Sequence, residues 1–204
     1  MTGKKTHMRA RGPARRQAGF TLVETLLAIL ILTTAIAGPL TIAAKGLSLA
    51  LIAKDQVAAT FLAQDAVEYV RFIRDTNRLS NNSDWLAGLD GGNNGHTTSN
   101  SGAQPNCTNG NACVVDSLQD LVSNCGLVTT GCASMPLYFD QGNQYYTYVT
   151  AGNTQTIFSR TISIQTPSQG GNTSEAELTV LVQWKDVGGV VRSVVLRENL
   201  LNWQ

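Results

Sequence analysis

The chain has 204 residues, 43% of them hydrophobic, 14% charged and only 6% aromatic, with a net charge of +1. That length holds one modest domain plus an extension. The small net charge hides a division: residues 1–19 contain Lys4, Lys5, Arg9, Arg11, Arg15 and Arg16 and no acid, so the remainder has nine Lys and Arg against 14 Asp and Glu, a balance of −5. A basic nucleic-acid footprint is excluded for that remainder.

In chain order, residues 1–19 form a basic tract that is poor helix material, with Gly3, Gly12 and Pro13, and it also holds His7. An apolar run follows. From Thr25 to Ala44 there is no charged residue. Twenty helical residues span roughly 30 Å, the hydrocarbon thickness of a bilayer. The positive-inside rule puts residues 1–19 in the cytoplasm and the rest of the chain outside. A secretory signal carries its small cleavage residues after a shorter apolar core. Here the small residue, Gly19, stands before the run, so cleavage there would remove the charges and keep the helix; the plain alternative is an uncleaved signal anchor. Glu24 is a lone acid near the end of this segment. Such a carboxylate is costly in a membrane and calls for a partner, unless it sits at headgroup level and favours the helix N-terminus.

Helix is expected from Phe20 to about Arg78, with Gly38-Pro39 as a kink or local melting point, because proline lacks an N–H and crowds the preceding turn. Past Lys45 the pattern is amphipathic. Ala58, Leu62, Ala66, Tyr69 and Ile73 recur at helical spacing, and Val57, Phe61, Val70 and Phe72 are expected to broaden that face. Lys54, Asp55, Asp65, Glu68, Arg71, Arg74 and Asp75 are expected on a solvated face. The helix should end near Asn77–Asn81, before the turn chemistry of Ser80-Asn81-Asn82-Ser83-Asp84.

Residues 80–113 read as a Gly/Asn/Ser-rich loop, with Trp85, Leu86 and Leu89 as a small anchor. Asp90-Gly91-Gly92-Asn93-Asn94-Gly95 offers oxygen ligands, but one carboxylate without a downstream glutamate is a poor calcium loop, and no metal is assigned. Cys107, Cys113, Cys125 and Cys132 are an even set in an exported region and imply two disulfides. Of three pairings, the nearest-neighbour one, Cys107–Cys113 and Cys125–Cys132, is favoured; the spacings do not fit zinc knuckles. Val114 to Val122 is read as a short helix between the cysteine pairs. Strands are expected at Tyr145–Thr150, Thr156–Gln165, Glu177–Lys185 and Val190–Leu196, with Asp186-Val187-Gly188-Gly189 as a hairpin turn. Leu178, Val180, Val182 and Trp184 share one face, and Thr179, Gln183 and Lys185 the other. Short connections imply an antiparallel sheet with one wet face, its dry face on the amphipathic half of the helix. Leu200, Leu201 and Trp203 are expected to pack at the end of that sheet.

The stretch Gly19-Phe20-Thr21-Leu22-Val23-Glu24-Thr25-Leu26-Leu27-Ala28-Ile29-Leu30-Ile31-Leu32, behind its basic tract, resembles the N-terminal signature of type IV pilins and pseudopilins, the class III prepilin signal. The likeness covers about 30 residues; the rest agrees only in layout. It implies an α+β fold with a long N-terminal helix on an antiparallel sheet. It divides the chain into a removed leader (1–19), a transmembrane and filament-core helix (20–44), an amphipathic half (45–79) and an extracytoplasmic head (80–204, with its cysteine loop at 80–135 and its sheet at 144–204). It implies cleavage after Gly19 by a prepilin peptidase, N-methylation of Phe20, and a role for Glu24 in meeting the amine of a neighbouring subunit. The implied partners are that peptidase and N-methyltransferase, other pilin subunits, an inner-membrane platform with its ATPase, and the bilayer before assembly. The implied location is the inner membrane, then an extracellular or periplasmic filament. The family's frequent C-terminal disulfide loop does not transfer, since no cysteine follows Cys132. A minor pilin is the expected role; the alternatives are a minor pseudopilin of type II secretion, a competence pilus component, or an adhesin displayed on the same anchor with 80–135 as its recognition loop.

No catalytic chemistry is expected. His96 is the one histidine past the leader, in a Gly/Asn loop without a nucleophile nearby, and no phosphate loop, H-E-x-x-H or C-x-x-C occurs. No cofactor is assigned.

Overall fold

A computed structural model describes residues 19–95, 104–127, 132, 135–166 and 174–202. His96, Trp203 and the leader up to residue 18 lie outside the described residues. The chain forms two compact units, 1–47 and 48–204.

One helix, α1 (Leu22–Leu79), runs through both units, with Pro39 inside it. In the first unit every described residue is exposed. The second unit is built on the opposite property. Ala59, Leu62, Ala63, Ala66, Val67, Tyr69, Val70 and Ile73 of α1 are buried, a stripe at three- and four-residue spacing that meets the sheet. The helix stops at Leu79 because Asn81 takes a left-handed φ of 54°, and its neighbour's amide closes back, Asn82 N donating to Asn77 O at 2.9 Å.

The seven strands are β1 (Asn111–Asp116), β2 (Leu121–Leu127), β3 (Pro136–Asp140), β4 (Tyr145–Thr147), β5 (Thr154–Gln165), β6 (Glu175–Lys185) and β7 (Val191–Leu201). All the strand pairs are antiparallel. The central strand β5 pairs with β6 along Ser159–Gln165, with β3 near its start, and with β1 at Cys113↔Ile162. β7 pairs with β6 without a register break, from Glu175↔Leu201 to Lys185↔Val191. The inward residues Leu178, Val180, Val182 and Trp184 join the α1 stripe in one core, while Thr179, Gln183 and Lys185 stay at least partly exposed. The β6–β7 turn closes with Gly189 N on Asp186 O at 2.8 Å. Gly189 holds a φ of 78° there, which a side chain would resist. The Asp186 carboxylate accepts from Arg192 Nε at 2.7 Å and from the Gly188 and Val190 amides at 2.9 Å. These bonds, the arginine's first, hold its pKa below the usual aspartate value.

Both disulfides join nearest neighbours, Cys107–Cys113 and Cys125–Cys132, with Cα–Cα distances of 5.3 and 5.1 Å. Trp85, Leu86 and Leu89 are buried. Asn77 of α1 anchors that segment, its Nδ2 donating to Trp85 O and Ala87 O at 3.2 and 2.9 Å.

The structure corrects several expectations. Val114–Val122 is not a helix: it spans β1, a turn and β2. β1 is covered on both faces, Cys113 and Val115 in the main core and Ala112 and Val114 in a second cluster with Cys132. A doubly buried strand shows no alternation and cannot be told from a buried helix by periodicity. The loop expected over 80–113 therefore gives way to β1 at Asn111, and β3 was not anticipated. β4 is shorter than expected, β5 and β6 each begin two residues earlier, and β7 extends to Leu201. Of the residues expected to broaden the α1 stripe, only Val70 is buried; Val57, Phe61 and Phe72 are 55%, 66% and 56% exposed, because the sheet covers a narrower sector of the helix than their hydrophobicity suggests. Leu201 is also exposed, whereas Leu200 is buried: adjacent strand residues face opposite sides. Arg74 leaves the expected solvated face and is buried.

Asp65 is likewise more than a solvated charge. Arg160 of β5 is 1% exposed and donates through Nη1 to Asp65 Oδ2 at 2.5 Å and to Leu62 O at 2.9 Å, and through Nη2 to Val115 O at 2.7 Å. One guanidinium thus ties α1, β5 and β1 together. Tyr148 supports it by donating its hydroxyl to Arg160 O at 2.8 Å, and burial pushes that phenol up to about 12.

Candidate functional site

The segment that carries the sequence signature begins at Gly19. Residues 19–21 are non-helical and α1 starts at Leu22. Thr21 is the N-cap: its Oγ1 accepts from Glu24 N at 3.3 Å, and its carbonyl accepts the first helical bond, from Thr25 N at 3.1 Å. Thr21-x-x-Glu24 has the spacing of a capping box, a local sequence signal for a helix start at this point. That capping role fixes where the helix begins and places Glu24 in its first turn, where a carboxylate faces the positive end of the helix dipole.

Gly19 and Phe20 are both exposed, Phe20 at 79%. A Cβ built on Gly19 meets nothing within 4 Å, and its φ is not in the left-handed region. The fold therefore supplies no steric reason for glycine at this position. A requirement for it has to come from something that reads this segment from outside.

From Leu22 onward α1 is long and apolar enough to cross a membrane, with a mean hydropathy of 2.2 in its most apolar window and none of that window buried. The hydroxyls within it are satisfied internally. Thr33 and Thr34 donate to Leu30 O at 3.0 Å, and Thr41 donates to Ala37 O and Gly38 O at 2.7 and 2.8 Å. Such back-bonding removes the cost of a bare hydroxyl in hydrocarbon. Around Gly38-Pro39 the helix remains unbroken. Pro39 has no N–H for the Ala35 carbonyl, and a Cβ on Gly38 meets nothing.

The second candidate, the 90–95 loop, spends its oxygens on its own backbone. Asp90 Oδ1 accepts from Gly92 N at 2.9 Å and Asn93 Oδ1 from Gly95 N at 2.8 Å. Asp84, which sequence spacing did not link to this loop, stands beside Asp90: a Cβ on Gly92 would lie 2.5 Å from Asp84 Oδ2 and 3.1 Å from Asp90 Oδ1. Burial, then the Asp90 charge, raises the Asp84 pKa. Among the described residues no group of three or more His, Cys, Asp or Glu side chains could hold a metal ion.

The comparisons with known proteins bear on the first site. Residues 14–38 match the family model described as the prokaryotic N-terminal methylation motif. No curated protein and no solved structure matches the chain. The matched range runs from the basic tract through Gly19, Phe20, the Thr21 cap and Glu24 to the apolar helix. Residues 14–38 are therefore an N-terminal methylation motif, the class III signal of type IV pilins and pseudopilins, on a chain with an α+β, pilin-like fold.

Proposed function

We propose that this chain is a minor pilin of a type IV pilus, a structural subunit and not an enzyme. Prepilin peptidase cuts after Gly19, the new amine of Phe20 is methylated, and the subunit enters the filament through the helix of residues 20–44. An inner-membrane platform and its ATPase drive the transfer. The observation that carries this reading is the order of parts at the N-terminus: an exposed glycine that the fold does not need, a Thr21-capped helix that starts three residues later, one carboxylate in its first turn, and then an exposed apolar face.

Leaving lipid, that face is covered by like helices, so packing between helices replaces contact with acyl chains. Glu24 then meets the methylated Phe20 amine of a neighbour. Opposite charges attract strongly where the dielectric is low, and an unpaired one is penalised, so the pair sets the axial register between subunits. Mass spectrometry of the cellular protein should find a chain beginning at N-methylphenylalanine 20. Glu24→Leu should be processed normally yet be depleted from purified filaments; normal incorporation would remove the assembly role. Subunit abundance in those filaments tests the minor assignment, which expects this chain to be rare.

A further inference from the structure

Within the unit 48–204, two independent contacts fix how α1 lies along the sheet. Arg71 reaches Glu198 of β7 at 2.7 Å. Arg160, whose row contains Val182 and Val194, reaches Leu62 O at 2.9 Å. From Val194 to Glu198 is about 13 Å of strand, and from Leu62 to Arg71 is about 13 Å of helix. The helix and β7 therefore run alongside each other in the same direction. Extending the same scale, the turn at Val190 lies eight strand residues before Glu198, roughly 27 Å, which corresponds to about residue 53 of α1. The β6–β7 turn is thus at the end of this unit where the chain enters at Ser48.

That end is apolar. Val187, Val190 and Val191 are 67%, 57% and 59% exposed, and Ile157, which lines a surface hollow with Lys185 and Val191, is 52% exposed. Of the charges on the turn and the strand ends beside it, Arg192 is already on Asp186 at 2.7 Å, and Lys185 is exposed. An apolar tip flanked by one exposed lysine suits the boundary between the acyl chains and the headgroups of a bilayer. The uncharged run Thr25–Ala44, which precedes Ser48 by a few residues, tethers it to such a surface, so even weak contacts are made at high effective concentration.

We propose that the β6–β7 tip, Val187 to Val191 with Ile157, docks on the lipid surface while the chain is held in the bilayer. The inference rests on the helix of residues 20–44 being membrane-inserted, as in the proposed function. Its occupant is the lipid interface itself, read through aliphatic side chains.

The test uses the full chain reconstituted in phosphatidylcholine vesicles. A nitroxide is placed at Val187→Cys, at Val190→Cys as a second tip site, or at Leu201→Cys at the opposite end of β7, with mass spectrometry confirming both native disulfides. Tip labels should collide severalfold more with oxygen, relative to a water-soluble nickel chelate, than the label at 201. With the label moved to Ile157→Cys, the V187D/V190D pair should restore access to nickel while leaving the circular dichroism of the sheet unchanged. Tip labels as open to nickel as residue 201, in a chain that resists carbonate extraction, would overturn the docking alone. Labels shielded from both reagents would mean a protein contact and would overturn it too. Extraction of the chain by carbonate would overturn the membrane reading along with it.

Discussion

The Arg160 clamp allows a sharp test, because its two members differ in what their loss leaves behind. Asp65→Ala removes the counter-charge from a guanidinium that is 1% exposed, whose Nε has no hydrogen-bond partner among the described residues. That cation cannot turn to water. Breaking a buried pair in this way costs about 3–5 kcal/mol. The low end, about 3 kcal/mol, applies here because the Asp65 side chain is 47% exposed and its attraction is already screened. Arg160→Met keeps most of the volume, lets Asp65 return to solvent, and removes the buried charge. It loses the bonds to Leu62 O and Val115 O, each worth about 1 kcal/mol, against the relief of desolvation, for a net cost of about 0–2 kcal/mol. The smaller side-chain change should therefore be the more damaging one. Urea unfolding of the full chain in detergent micelles reads this through Trp184 and Trp85, which are 3% and 4% exposed. For a domain of this size Asp65→Ala should lower the melting temperature by about 6–12 °C. A larger loss for Arg160→Met than for Asp65→Ala would refute the reasoning, since it would mean the guanidinium is held by its carbonyl bonds and not by its counter-charge.

Other tests follow from single contacts. The Tyr69 hydroxyl is buried with no partner among the described residues, so Tyr69→Phe should be neutral or stabilising by up to about 1–2 kcal/mol; a clear destabilisation in the same urea assay would reveal a bond to that oxygen. Each disulfide closes a loop of 6 or 7 residues, for which chain entropy gives about 2 kcal/mol; reduction with dithiothreitol should lower the unfolding midpoint accordingly, and an unchanged midpoint would remove the bridges from the account of stability. Because the pKa of Asp186 is depressed in the fold, its contribution is present above the unfolded aspartate value of about 4 and is lost as pH falls through the lower folded value. Asp186→Asn should flatten the stability loss below about pH 4; an unchanged acid limb would mean the turn does not depend on that carboxylate.

How much of this was legible from residues alone depended on whether the signal was local. The basic tract, Gly19, Glu24 and the uncharged run occupy adjacent positions, so the N-terminal site could be read without a fold, whereas the Thr21 cap came with the structure although its pattern spans only four residues. The alternation of Leu178, Val180, Val182 and Trp184 gave the dry face of β6 in the same way, since period two is set by the backbone. The hairpin at Asp186–Gly189 was equally local. By contrast, 114–122 was misread because both faces of β1 are covered by chain that arrives from far along the sequence, which erases the periodic signal.

What the chain alone determined is a charged handle, a small residue, an apolar helix and an amphipathic continuation, because each is fixed by neighbouring residues and by helical or strand period. Only tertiary structure decided which apolar residues of α1 are covered, that Arg160 reaches under the helix to Asp65, Leu62 and Val115, and that the β6–β7 tip lies at the Ser48 end of the unit 48–204. Those are consequences of packing, which depends on which elements meet, and no local pattern encodes a meeting between Arg160 and residues 45, 95 or 98 positions away.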